Sequence, residues 1–297
     1  MLPAPFTSDF LNRLEALRLR TRKEVLGGRQ GSYASPRRGM SLEFADYRRY
    51  SPGDDIRYLD WGIFARTDRF YIRLFREEVD LFVYLFIDAS GSMAFPSTQE
   101  KFSSAGHIAL ALAYVVLANH DHVKLHFLQE GSAVTTSPFY RGRNRIVDCI
   151  GFFSRISPDG PLEFAHSLGE HLRGIRRPGK AVILSDFLMP APSYQQGLNM
   201  LRAFNLDISV IQVLGRQEID PPFSDQSLAL VDSESRAEIR LQWNRNLRKR
   251  YQEKLKRHNL ELRSVCHQAG IHYSLFVTDQ VLTDFVLETL PAVGLFK

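Results

Sequence analysis

The chain has 297 residues, 44% of them hydrophobic and 24% charged, with a formal net charge of +5; that is enough apolar material for one large or two small domains. Cys149 and Cys266 stand alone, without a C-x-x-C or a neighbouring His at ligand spacing, which argues against a disulfide framework or a zinc site and reads as two core thiols. The most apolar helical stretch, 108–118, is shorter than the roughly 20 residues a bilayer span needs, and the N-terminus has neither a basic start nor a cleavage signal, so a cytoplasmic protein without a membrane partner is expected.

Phe10, Leu14 and Leu17 predict a short first helix, and 33–39 reads as loop. Ser51-Pro52-Gly53-Asp54 is a strong turn signal, because Pro52 fixes φ and Gly53 admits the positive φ of a type II turn. Asp55 is expected to cap a short helix carrying Ile56, Leu59, Ile63 and Phe64, with Trp61 as a buried anchor. Phe70, Ile72 and Leu74 alternate with Tyr71 and Arg73 and predict a strand.

From residue 81 the rhythm changes. Strands are predicted over 81–87, 123–128, 181–185, 208–214 and 271–277, separated by helices over 102–119, 143–153, a stretch from Gly160-Pro161 to 172, 194–204, 244–268 and, last, 283–290. A hairpin is expected from 228–231 and 238–241. This alternation predicts an α/β fold with a mostly parallel, doubly wound sheet covered on both faces. Residues 1–79 form an N-terminal α+β extension packed on a main domain of 80–297, which carries a hairpin insertion around 215–243.

The run Asp88-Ala89-Ser90-Gly91-Ser92 follows the first of those strands and so lies where open α/β sheets bind ligands. One carboxylate and two hydroxyls suit a hard divalent ion such as Mg2+ or Mn2+, and they leave charge for a partner's Asp or Glu to complete. The plainer alternative is that the serines form a turn and cap the next helix. The basic excess is dispersed: arginines before residue 80 alternate with Asp and Glu, as in Asp54-Asp55-Ile56-Arg57. In the dense run 245–257, Leu247, Tyr251 and Leu255 recur every four residues, so its cations read as the solvated face of an amphipathic helix rather than a nucleic-acid surface.

Gly39-Met40-Ser41-Leu42-Glu43-Phe44, then Tyr47-Arg48-Arg49-Tyr50-Ser51-Pro52-Gly53-Asp54-Asp55-Ile56-Arg57-Tyr58-Leu59-Asp60-Trp61 and Ala65-Arg66, resemble the signature of the bacterial family called domain of unknown function 58. Val231-Asp232-Ser233-Glu234, Tyr251, Cys266, Gly270-Ile271 and Thr278-Asp279 continue the likeness in the same order. The resemblance implies a von Willebrand factor A-like, Rossmann-like domain. In such domains a metal-ion-dependent adhesion site joins an Asp-x-Ser-x-Ser loop to a Thr in a second loop and an Asp in a third. Asp88, Ser90 and Ser92 match the first loop and Asp186 the third, although Asp186 also reads as a helix cap. At the second, Pro161 stands where the Thr is expected. Proline supplies neither a side-chain oxygen nor an N–H. Either Ser157 or Asp159 substitutes, a water fills the gap, or the site has lost firm metal binding.

The resemblance further implies a non-enzymatic interaction module, an adaptor that works with a MoxR-type AAA+ ATPase in chaperone-like remodelling or assembly of client proteins. The residues agree with that class. Gly27-Gly28-Arg29-Gln30-Gly31-Ser32 lacks the Lys-Ser/Thr ending of a phosphate loop, and no G-x-S-x-G elbow is present. The alternative is a magnesium-dependent hydrolase using Asp88 and Asp186. Against it stand only two carboxylates at predicted strand ends and no His beside them.

Overall fold

The computed structural model describes residues 6–20, 42–77, 80–95, 100–130, 134–223, 226–231 and 237–296. They belong to two compact units, Met1–Lys23 with Leu81–Lys297, and Glu24–Asp80. The N-terminal extension expected over 1–79 is thus divided, its first helix going with the sheet. That helix, α1 (Ser8–Glu15), starts where Thr7 Oγ1 accepts the Phe10 N–H at 3.3 Å, and it buries Phe10 and Leu14 in the core of the larger unit. The loop expected over 33–39, the glycine-rich 27–32 and the signature residues Gly39, Met40 and Ser41 lie outside the described residues, as do Asp232, Ser233 and Glu234.

In the smaller unit β1 (Leu42–Arg49) pairs antiparallel with β2 (Tyr71–Glu77), with a bulge between Phe44 and Asp46. The turn between them closes with Asp54 N–H on the Ser51 carbonyl at 3.0 Å and Gly53 at φ +103°. The single helix expected after Asp55 is two elements, because two aspartates each claim a helix start. Asp55 caps the 3₁₀ turn Ile56–Tyr58, and Asp60 caps α2 (Trp61–Thr67). Trp61 is not the buried anchor expected: it opens α2 and is 62% exposed, while the Asp60 beside it is buried. Phe64 and Phe70, stacked at 4.4 Å, make the apolar contact instead.

The larger unit continues with β3 (Phe82–Asp88), α3 (Glu100–Ala118), β4 (His122–Leu128), β5 (Thr135–Thr136), β6 (Tyr140–Arg141), α4 (Ile146–Phe153) and α5 (Phe164–Leu172). Then come β7 (Lys180–Ser185), α6 (Ala191–Ala203), β8 (Asp207–Leu214), α7 (Arg216–Ile219), β9 (Gln226–Val231), β10 (Glu238–Trp243), α8 (Arg245–Gln268) and β11 (His272–Val277). A last helical segment runs through α9 (Leu282–Asp284), the π-helical turn Phe285–Thr289 and α10 (Leu290–Ala292). The strand order β11-β8-β7-β3-β4 is parallel throughout, with β5 and β6 antiparallel on β4. The fold is mixed α/β with a mainly parallel central sheet.

Period-two alternation divides the buried strands between two cores. Val83, Leu85 and Ile87 of β3 face α1, α3 and α4, whereas Phe82, Tyr84 and Phe86 face α5, α6 and the end of α8. An all-round apolar helix has to be enclosed, and α3 is: it is long and apolar enough to cross a membrane, but 78% of its apolar window is buried inside the protein. The hairpin β9–β10 forms a sheet of its own, anchored by buried Trp243 between Phe223 and Tyr251. On α8, Leu247, Tyr251 and Leu255 are half-buried while Lys249, Arg250, Lys254, Lys256 and Arg257 are exposed, the solvated face read from the sequence. Cys149 and Cys266 are buried free thiols, each pushed up to about 12 by burial.

Two positions test this packing. A Cβ on Gly179 would lie 2.0 Å from the Phe82 carbonyl oxygen, a backbone atom with little room to yield. Gly179→Ala is expected to cost about 1–3 kcal/mol in urea unfolding, as overpacking does, whereas Gly174→Ala, whose Cβ meets only the His171 carbonyl at 3.6 Å, should be near neutral. His126 and His171 meet Nδ1 to Nδ1 at 3.0 Å in the second core, and burial holds His126 well below its ordinary pKa and His171 at about 4. Unfolded histidines take up protons near pH 6.5 that these cannot, so their contribution is present above about 6.5 and is lost as pH falls toward 4. Thermal melts between pH 7.5 and 4.5 should show that loss, and His126→Phe should flatten it.

Candidate functional site

β3 and β7 are neighbours, yet α3 and α6, which follow them, pack in opposite cores. Loops that diverge in this way mark the ligand crevice of open parallel sheets. Ile87 pairs with Leu184, so Asp88 and Ser185 end the two strands side by side. Ser185 Oγ donates to Asp88 Oδ2 at 2.5 Å, and the Ser90 N–H donates to Oδ1 at 2.9 Å. Ser90 Oγ and Ser92 Oγ are 3.0 Å apart, and Ser92 Oγ donates to Asp186 Oδ2 at 2.8 Å. Asp186 Oδ1 accepts the Leu188 N–H at 3.1 Å. Asp88, Ser90, Ser92 and Asp186 are therefore one hydrogen-bonded cluster, and Ser90 makes no side-chain cap on the 3₁₀ turn Gly91–Ala94 that follows it.

The second loop reaches this cluster through backbone alone. Asp159 N–H donates to the Ala89 carbonyl at 3.0 Å, and Gly91 N–H to the Gly160 carbonyl at 2.7 Å. Ser157 and Asp159 are exposed, as is Pro161. Among the described residues neither the Ser157 nor the Asp159 side chain bonds to the cluster.

Two residues that the sequence reading passed over complete the site. Lys101, in the first turn of α3, is fully buried and places Nζ 2.8 Å from Asp186 Oδ2 and 2.6 Å from Glu218 Oε1. Glu218 Oε2 accepts the Gly215 N–H at 2.7 Å. Glu218 follows β8, so a third carboxylate joins the two counted at strand ends. The signal for Lys101 was a charge just ahead of an otherwise apolar helix. That for Glu218 was its place four residues beyond a buried strand.

Burial pushes the Asp88 carboxyl up, and the neighbouring Asp186 charge pushes it further. Burial acts in the same sense on Asp186, but the Lys101 ammonium outweighs it and holds Asp186 below the ordinary range. For Lys101, burial is overcome by the charges of Asp186 and Glu218, which keep the amine protonated. Glu218 remains raised, mainly by burial.

This set does not fit an octahedral divalent ion. What weighs against it is the resident charge: the Lys101 ammonium already holds the Asp186 oxygen that Ser92 also reaches. Unit charges about 4 Å apart interact by about 4 kcal/mol at an effective dielectric of about 20, and a divalent ion doubles the repulsion. Among the described residues no group of three or more His, Cys, Asp or Glu is arranged to hold a metal.

A family model described as "Protein of unknown function DUF58" matches residues 46–261. The chain belongs to the DUF58 family. Uncharacterized proteins of Mycobacterium bovis and Mycobacterium tuberculosis are each 27% identical to it over 227 residues, 75% of this chain and 70% of theirs. Among solved structures, the conserved hypothetical protein BatB from Bacteroides thetaiotaomicron aligns at a TM-score of 0.40 and 12% identity, over 72% of this chain and 98% of that one. An aerotolerance-related membrane protein from Bacteroides fragilis aligns at 0.38 and 13%, over 72% and 96%.

The signature residues of this DUF58 chain lie in the smaller unit and build it. Asp60 Oδ1 accepts the Gly62 and Ile63 N–H groups at 2.9 and 3.0 Å, while Oδ2 accepts Arg73 Nε at 2.8 Å and the Tyr47 hydroxyl at 3.1 Å. The Arg73 guanidinium and those N–H donors hold its carboxyl well below the usual range. Asp55 pairs with Arg57 at 2.6 Å and Asp54 with Arg48 at 2.8 Å, while Arg66 Nε donates to the Gly62 carbonyl and the Tyr50 N–H to the Phe70 carbonyl. One carboxylate thus fixes both a helix start and the β1–β2 pair. Asp60→Ala is expected to speed limited proteolysis within 42–77 severalfold while the larger unit stays resistant, with Asp60→Asn intermediate because it keeps an acceptor for the cap.

Proposed function

We propose that this DUF58 protein is a non-enzymatic interaction module of von Willebrand factor A-like type, an adaptor in the cytoplasm that works with a MoxR-type AAA+ ATPase on client proteins. It docks through a degenerate adhesion site at the carboxyl ends of β3 and β7. The observation that carries this reading is the character of that end of the sheet. A buried, internally bonded polar cluster is flanked by two exposed apolar side chains, Phe95 three residues beyond Ser92 and Leu188 two residues beyond Asp186. Exposed apolar groups beside fixed polar ones are what a protein interface uses.

Enzymatic use of Asp88 and Asp186 has less support. Both carboxylates are buried and engaged by donors of the chain itself, and the buried histidine pair lies in the second core, away from them, with its two Nδ1 atoms 3.0 Å apart. A cluster whose hydrogen bonds are satisfied from within is a scaffold for surrounding loops rather than a reaction centre.

The test is an affinity pull-down of the tagged protein from its native extract in buffer with Mg-ATP, with partners identified by mass spectrometry. A MoxR-type AAA+ ATPase should be recovered with the natural sequence and fall about tenfold with the double variant Phe95→Ser/Leu188→Ser, a loss of the size that interface anchors show. Recovery of no such ATPase would sink the adaptor reading. Equal recovery with the double variant would move the docking surface elsewhere.

A further inference from the structure

We propose that the Lys101 ammonium is the resident cation of the loop cluster, standing in for the divalent ion, so that the site keeps one fixed arrangement without metal. The inference is independent of the identity of any partner.

Three observations carry it. The ammonium is fully buried and touches two carboxylates from different strand ends, Asp186 after β7 and Glu218 after β8. The same Asp186 oxygen that meets Lys101 also receives Ser92 Oγ, which in turn meets Ser90 Oγ, so the ammonium is bonded into the Asp-x-Ser-x-Ser loop rather than lying apart from it. Glu218 is held in place by the Gly215 N–H and by the Tyr251 hydroxyl on its own carbonyl at 2.7 Å, so its carboxylate meets the ammonium from a fixed backbone.

An ion at an adhesion site has two physical tasks, to neutralise buried carboxylates and to draw loops from separate strands into one geometry. A tethered ammonium performs both for Asp186 and Glu218, since it offers three donors and a positive charge. Its charge is permanent at neutral pH and its effective concentration is set by the fold rather than by the cell's free metal. It also accounts for Pro161: with a cation supplied from α3, the second loop has no ligand to provide, and it contacts the first through backbone only. What differs from an ion is reach. The ammonium is enclosed by its own carboxylates and does not offer an open position to a partner's Asp or Glu, so docking at this end relies on the surrounding surface.

The whole 297-residue chain is tested with metal alone as the probe. For the natural sequence, Mn2+ titration followed by electron paramagnetic resonance should show no loss of the free-ion signal, and its melting temperature should be the same in EDTA and in millimolar Mn2+. Binding of Mn2+ with a rise in melting temperature would overturn the proposal. Lys101→Ala leaves two carboxylates unpaired and should melt about 10 °C lower in EDTA, the scale expected for breaking a buried pair in a protein of this size. Millimolar Mn2+ should recover part of that loss; a Lys101→Ala protein that melts like the natural one, or one indifferent to Mn2+, would count against the idea. Where Lys101→Ala alone fails to fold, Lys101→Ala/Asp186→Asn removes a charge together with its partner and should restore folding, and persistent failure would show that Lys101 acts through packing instead. These readouts involve no partner protein, so their failure is distinct from failure of the adaptor reading.

Discussion

A single buried ammonium between the buried carboxylate of Asp186 and the largely buried one of Glu218 ties together three segments that the sheet alone would leave to diverge. Lys101 comes from the start of α3 on one face, Asp186 from the exit of β7, and Glu218 from α7 beyond β8. Desolvating such groups offsets much of their attraction, so the net gain is small, but removing one partner strands the others without water. The arrangement therefore contributes specificity more than stability. It leaves these loops one low-energy way to meet, because each alternative would bury an unpaired charge.

That constraint spreads outward through ordinary contacts. Tyr251 of α8 donates to the Glu218 carbonyl, and its ring lies 6.1 Å from that of Trp243, the buried end of the hairpin β9–β10. Arg248, also on α8, pairs with Asp220. On the other side Gln212 of β8 bridges the Asp186 carbonyl and Asn259 of α8 at 2.9 and 3.1 Å. The hairpin insertion, the long basic helix and the strand ends are thus connected to the same few polar atoms, although the hairpin strands themselves are largely exposed.

Much of the larger unit was legible in the sequence, because fully apolar strands and a 3.6-residue helical rhythm are strong local signals. β3, β4, β7, β8, β11 and α8 fall within a residue or two of expectation; that Asp88 and Asp186 share one end of the sheet was what the family resemblance implied, and the pairing of β3 with β7 places them there. What was illegible depended on long-range partners. Lys101 looks like a solvated helix start until Asp186 and Glu218, far along the chain, are placed against it. Trp61 looks like a core residue until Asp60 takes the buried place for its cap. β1 went unread because a bulge breaks its alternation and its pairing partner lies beyond a turn and a helix. The family signature, dense in Asp and Arg, invites a functional reading, yet its contacts within the smaller unit are those of a framework.

The enclosure of α3 has a further consequence, for the order of events as the chain is made. This helix is completed before β4, β7, β8 and β11 have left the ribosome, and against those later strands it must bury an apolar surface long enough to span a bilayer. Until they arrive it is an exposed hydrophobic rod, of the kind that membrane-insertion machinery and holding chaperones both recognise. Lys101 at its head, without Asp186 and Glu218 yet synthesised, is at that stage a free charge at the end of the rod. The residue that later closes the polar cluster is, for the nascent chain, a charge at the very end of an apolar helix, where a lysine least opposes entry into a bilayer and only the later strands decide the helix's fate.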